Sequence, residues 1–185
     1  MEWPNKSDRE TFEIAGFIKA CARLPEPRQF EVVSKHDRSG LEDQGESGGP
    51  DYFVRDRATG EEYGVELTSV YSDDRSVPDV HKADCEDPVH IAYDTDAIEK
   101  YTGRLAAAVV DKICKARCHY DRSRPLILSI YLNEYITLFM HKSHLEEFVC
   151  RYRRLFDAMA PFREVVFWDL PDGGVFRVSQ SQTQP

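Results

Sequence analysis

Residues 50–69, PDYFVRDRATGEEYGVELTS, constrain this chain more than any other stretch. Tyr52, Phe53 and Val54 open one strand, Ala58-Thr59-Gly60 supplies a turn, and Tyr63 to Val70 alternates apolar and polar residues as a second strand. A period of two puts Glu66 and Thr68 on one face and Val65 and Leu67 on the other. Asp51 stands at the mouth of the first strand, behind two glycines and Pro50. A hairpin of this kind brings the carboxylates of Asp51 and Glu66 together, a pair of oxygen ligands suited to Mg²⁺ or Mn²⁺. The plainer reading makes Asp51 a turn residue and Glu66 part of a solvated strand face.

The remaining pattern is mixed. A helix is expected from a cap at Ser7 or Asp8 to about Leu24, with Ile14, Phe17, Ile18, Cys21 and Leu24 inward. Glu10 falls inside that apolar arc and Glu13 towards its margin. An inward carboxylate needs a partner, whereas one in an exposed first turn is favoured by the helix dipole. Phe30 to Ser34 reads as a strand, and Lys35 to Gly49 as a polar loop.

Thr95 to Cys118 reads as a long helix with the stripe Ile98, Tyr101, Leu105, Val109, Ile113 and Ala116. Lys112 lies in the middle of that stripe and Lys115 on its edge. An inward lysine is costly unless a carboxylate or an anionic ligand stands opposite, and the alternative is a lysine that snorkels to the surface. Cys114 and Cys118, one turn apart, read as a buried thiol pair. Leu126 to Leu132 has the continuous apolar run of a strand covered on both faces. A strand over 135–140, a helix from Ser143 to about Met159, strands Glu164 to Trp168 and Val175 to Val178, and a disordered tail at 181–185 complete the chain.

At 185 residues with 41% hydrophobic content this is one domain, spanning 1–180, with a core of its own. The formal net charge of −9 argues against a protein that coats nucleic acid non-specifically, and leaves room for one that meets a phosphodiester locally. Five cysteines without a repeating spacing suggest free thiols in a reducing compartment. His81, Cys85 and His90 invite a zinc reading, but their spacing matches no zinc knuckle. The N-terminus lacks the features of a signal peptide and no apolar run reaches the roughly 18 residues of a membrane span, so a soluble cytoplasmic protein without a membrane partner is expected.

The order helix, strand, strand with Asp51, strand with Glu66, long helix, buried strand resembles the core of the PD-(D/E)XK nuclease superfamily, over about residues 8–133. Pro50-Asp51 stands at its PD and Glu66-Leu67-Thr68 at its (D/E)XK. The resemblance implies an α/β (mixed α+β) fold of restriction-endonuclease type, a central mixed sheet flanked by helices. It also implies Mg²⁺- or Mn²⁺-dependent hydrolysis of nucleic acid, with DNA the first expectation. Asp51, Glu66 and the Leu67 carbonyl would hold the metal, with Glu10 as the extra acidic residue some members place beside it. Thr68 departs from the family, since it occupies the place of the lysine. Lys112, with Lys115 second, would supply that charge from the following helix, and Thr68 could hydrogen-bond the water or a phosphate oxygen. A catalytically inactive module of the same fold, acting through a protein partner, is the alternative, and a purely structural domain a third. Arg151, Arg153 and Arg154 fit either a phosphate contact or a solvated helix face. Dimers are the default oligomer.

Overall fold

The computed structural model describes residues 6–36, 48–70, 97–132, 140–170 and 173–180. The elements run α1 (Lys6–Cys21), β1 (Phe30–Lys35), β2 (Tyr52–Asp56), β3 (Glu62–Val70), α2 (Ala97–His119), β4 (Leu126–Leu132), α3 (Lys142–Arg151), α4 (Arg153–Asp157), β5 (Phe162–Trp168) and β6 (Val175–Ser179). The strands form one six-stranded sheet in chain order. β1, β2 and β3 are antiparallel neighbours, β3, β4 and β5 run parallel, and β6 closes the far edge antiparallel. Parallel neighbours need crossovers, which α2 supplies between β3 and β4 and the α3–α4 pair between β4 and β5. The chain is therefore a mixed α/β protein with helices on both faces of a mixed sheet.

Side-chain alternation sorts the core into two layers. Ile14, Phe17, Ala20, Cys21 and Leu24 of the first helical segment pack with Val65, Leu67, Ile127, Val166 and Trp168 on one face. Tyr101, Leu105, Val109 and Ile113 of α2, with Leu145, Phe148 and Phe156, pack with Leu126, Leu128, Ile130, Val165 and Phe167 on the other. β4 is buried on both sides, as its unbroken apolar run requires. Burying each such Leu, Ile or Phe side chain contributes about 1.5–3 kcal/mol. α1 sits close to the sheet because Gly16 has no Cβ: one built there would stand 2.4 Å from the indole of Trp168. That indole donates to Ser129 Oγ at 2.9 Å.

The expected hairpin is present, with Tyr52 opposite Val65 and Val54 opposite Tyr63, and Gly60 takes the positive φ of 75° that the turn needs. Several boundaries differ. α1 begins at Lys6, so Asp8 lies in its first turn rather than at its cap, and it stops at Cys21; Leu24 is buried in the following turn. The helix expected over 143–159 is broken at Tyr152, whose ψ of 27° ends α3 before α4 begins. Cys114 and Cys118 are exposed rather than a buried pair, because they lie on the side of α2 away from the sheet. The buried stripe of that helix is Tyr101, Leu105, Val109, Ile113 and Ala116. The zinc candidates His81, Cys85 and His90, the strand over 135–139 and the tail at 181–185 lie outside the described residues. Among the described residues, no helix is long and apolar enough to cross a membrane.

Candidate functional site

The antiparallel registers set a row of polar residues across three strands. Lys35 pairs with Tyr52 and Tyr52 with Val65, so the next row outward holds His36, Asp51 and Glu66. The His36 amide donates to the Asp51 carbonyl at 2.9 Å. Asp51, just before β2, is buried, and its Oδ2 accepts the backbone N–H of Leu67 at 2.7 Å. The side chain thus caps a β3 amide beyond the end of the partner strand and is anchored one residue from Glu66.

Glu66 is 1% exposed and turned towards α2. Its Oε1 accepts Lys112 Nζ at 2.8 Å and Lys115 Nζ at 3.3 Å, and its Oε2 accepts the Tyr120 hydroxyl at 2.5 Å. Lys112 and Lys115, three apart, project from the same side of α2. Tyr120 immediately follows the helix. Burial pushes the Glu66 pKa up, but the charge and hydrogen bond of Lys112, the Tyr120 hydroxyl and Lys115 outweigh it and hold the carboxyl below its usual range. The inward lysine expected from the α2 pattern therefore has its carboxylate, and it is the one on the hairpin. Thr68, two residues on along the same face, is also buried, and its Oγ1 has no hydrogen-bond partner among the described residues.

The opposite face carries a carboxylate that the sequence pattern underrated. Glu13, on α1, is 5% exposed and accepts the hydroxyl of Ser69, with Arg9 Nε 3.7 Å away. Burial raises its pKa, and the nearby charges of Asp51 and Glu10 push the same way, against Ser69 and Arg9. Glu10, the acidic residue singled out on this helix, is instead half-buried in a 2.9 Å ion pair with Lys35. One helical turn separates the two, and the end of β3 rises to meet the later one. Asp51 thus feels the charge of Glu13 on one side and touches the backbone beside Glu66 on the other.

Replacing Glu13 by glutamine should stabilise the protein at neutral pH by on the order of 1 kcal/mol, measured by urea unfolding. A carboxyl whose folded pKa is raised binds its proton more tightly when folded, so wild-type stability falls as pH rises through that window. The advantage of glutamine should therefore shrink as the pH is lowered towards 4.5, the ordinary value for this group. An advantage that is absent at pH 7, or that grows on acidification, would show that Glu13 is not held against its charge.

His36 and Tyr120 also escaped the sequence reading. The His36 ring packs on Gly49, where a Cβ would stand 2.8 Å from Cε1, and its Nε2 is buried without a hydrogen-bond partner among the described residues. It carries no motif signal, since only the strand register brings it beside Asp51. Tyr120 could have been found from its place eight residues after Lys112, at the foot of the same helix. Arg151 and Arg153 are exposed and paired with Glu147 and Asp157, as a solvated helix face would be.

Among the described residues, no three His, Cys, Asp or Glu side chains converge as a set able to hold a metal ion. Mg²⁺ does not need one, because it keeps several waters and commonly takes one or two carboxylates together with substrate phosphates. Asp51, Glu66 and the Leu67 carbonyl are hard oxygen donors of the right kind, and the Thr68 hydroxyl lies on the same face as Glu66. The donor chemistry fits such a cation. Comparison with family models, with curated proteins and with solved structures finds no match to this chain.

Proposed function

We propose that the protein is a metal-dependent phosphodiester hydrolase of PD-(D/E)XK type acting on nucleic acid, with DNA as its first substrate. The observation that carries this reading is the insertion of Lys112 from α2 onto Glu66, at 2.8 Å. It supplies, from the following helix, the charge that Thr68 does not provide on the strand. Asp51 and Glu66, with the Leu67 carbonyl, would hold Mg²⁺ or Mn²⁺. The ion's contribution when bound would be to polarise the phosphodiester and lower the pKa of a bound water.

The chain's own residues have separate tasks. Lys112 and Lys115 would pass from the Glu66 carboxylate to the phosphate oxygens as substrate arrives, a transfer between two anions that keeps each ammonium paired. Thr68 Oγ1 would orient the attacking water or a phosphate oxygen. Tyr120 would keep Glu66 in place through Oε2 while Oε1 is released. Asp51 is held against the β3 backbone and so needs no reordering.

A second reading has an observation of its own. Glu66 is almost wholly buried, with both oxygens occupied, which suits a module that keeps the fold and binds through a protein partner without catalysis. Incubation of the purified protein with plasmid, linear and single-stranded DNA separates the two. Cleavage that requires Mg²⁺ or Mn²⁺ and stops with a chelator is the expected result. A folded protein that leaves all three substrates intact in both metals would turn the reading to the non-catalytic module.

A further inference from the structure

The connection between Tyr120 and β4 holds a second cluster of positive charge. A cavity of about 420 Å³ is lined by Arg117, Arg122 and Arg124 over a floor of Pro125, Leu126, Ala160 and Pro161. Among the described residues no carboxylate lines it, in a chain whose formal net charge is −9. Each guanidinium is held from the protein side. Arg117 donates to the carbonyls of Ala160, at 2.7 Å, and Ala158. Arg122 donates to the Arg117 carbonyl at 3.2 Å, and Arg124 Nε to Glu62 at 3.1 Å. These bonds use only part of the five N–H donors that each guanidinium carries. Three oriented guanidinium groups around one apolar floor match the oxygens of a phosphate.

The cavity is linked to the candidate centre through Tyr120 and Phe53. Tyr120, which bonds Glu66, starts the short segment that carries Arg122 and Arg124. The Arg124 guanidinium also stands 4.8 Å over the ring of Phe53, two residues after Asp51 on the hairpin. We propose that the Arg117–Arg122–Arg124 cavity is a phosphate subsite that grips the backbone of a polynucleotide beside the Asp51–Glu66 centre. The proposal rests on the phosphodiesterase reading for its substrate class and locates the nucleic-acid grip of an acidic protein within this chain.

Fluorescence anisotropy with a labelled oligonucleotide, single-stranded and duplex, without divalent metal, measures binding apart from cleavage. Arg122→Gln/Arg124→Gln should weaken binding about tenfold and flatten the dependence of log K on log salt by about one unit for each phosphate no longer neutralised. Arg122→Gln alone, which removes only a bond to a backbone carbonyl, should show a smaller change in the same direction with an unchanged melting temperature. Unchanged affinity and salt slope in both variants would overturn the subsite whatever the cleavage assay shows. Wild-type binding that depends on these arginines without any cleavage would keep the subsite and remove the catalytic reading. Inorganic phosphate serves as the other arm. An arginine-dependent response to phosphate but not to oligonucleotide would assign the cavity to a small anion and overturn the proposal.

Discussion

Lys112→Met should lower stability by about 2 kcal/mol at pH 7. Removing one partner of a buried ion pair typically costs about 3–5 kcal/mol, because the other charge is left uncompensated in a poor solvent. Lys115 and Tyr120 remain on Glu66 and reduce that figure. The pH dependence identifies the cause. In the wild type the folded pKa of Glu66 is depressed, so the associated stability is present above its ordinary value of 4.5 and is lost as pH falls through the folded value. In the variant the main depressing charge is gone and burial dominates, so the carboxyl takes up a proton at higher pH. The deficit should be full at neutral pH and shrink on acidification. Urea unfolding at several pH values tests this, with Lys115→Met, more exposed and more distant, as the smaller companion. A loss that is below 0.5 kcal/mol, roughly the scatter of surface substitutions, or that ignores pH, would mean Lys112 only snorkels past Glu66.

The hairpin and the α2 stripe were legible because both are local. Alternation in YGVELTSV fixes the face of Glu66, and heptad spacing from Ile98 and Leu105 fixes that of Lys112, so their meeting needed only β3 and α2 as neighbours. Burial of β4 on both faces followed equally from its composition. What escaped is non-local. Glu13 and Glu10 are three residues apart, and choosing between them requires knowing where Ser69 of β3 lies relative to α1. His36 gains its place from a strand register that no spacing in the sequence encodes. The cysteines of α2 failed for a simpler reason: a thiol behaves as a small apolar group in a pattern count, and such a group is tolerated on either side of a helix.

The faces also say what kind of centre this would be. Glu66, Thr68, Lys112 and Lys115 belong to the α2 side of the sheet, whereas Glu13 belongs to the α1 side. Asp51 alone stands at the strand mouth between them, bonded to the backbone where β2 parts from β3. A cation held by Asp51 and Glu66 would therefore lie at the end of the hairpin rather than over either face, close to the row that contains His36. Arg124 reaches the same hairpin nearer its turn, at Glu62 and over the ring of Phe53.

Glu66→Gln should abolish metal-dependent cleavage, with a fall of about 10³-fold or more, equivalent to at least about 4 kcal/mol of transition-state stabilisation. Glutamine keeps an oxygen for Tyr120 and nearly the shape of glutamate, so the side chain stays where it is. What it loses is the negative charge that both the cation and the two lysines require. Lys112→Met should cost less, about 10²-fold, since Lys115 remains, and the loss should appear in kcat rather than KM if the ammonium acts on the phosphate only as charge develops there. The pair of variants is informative because they remove opposite charges from one ion pair. A merely structural pair would lose stability in both and activity in neither once folded protein is compared at equal concentration. Cleavage that survives Glu66→Gln at the wild-type rate, from protein with a native melting profile, would place the chemistry elsewhere in the molecule and leave the Glu66 cage as an internal support of α2 on β3.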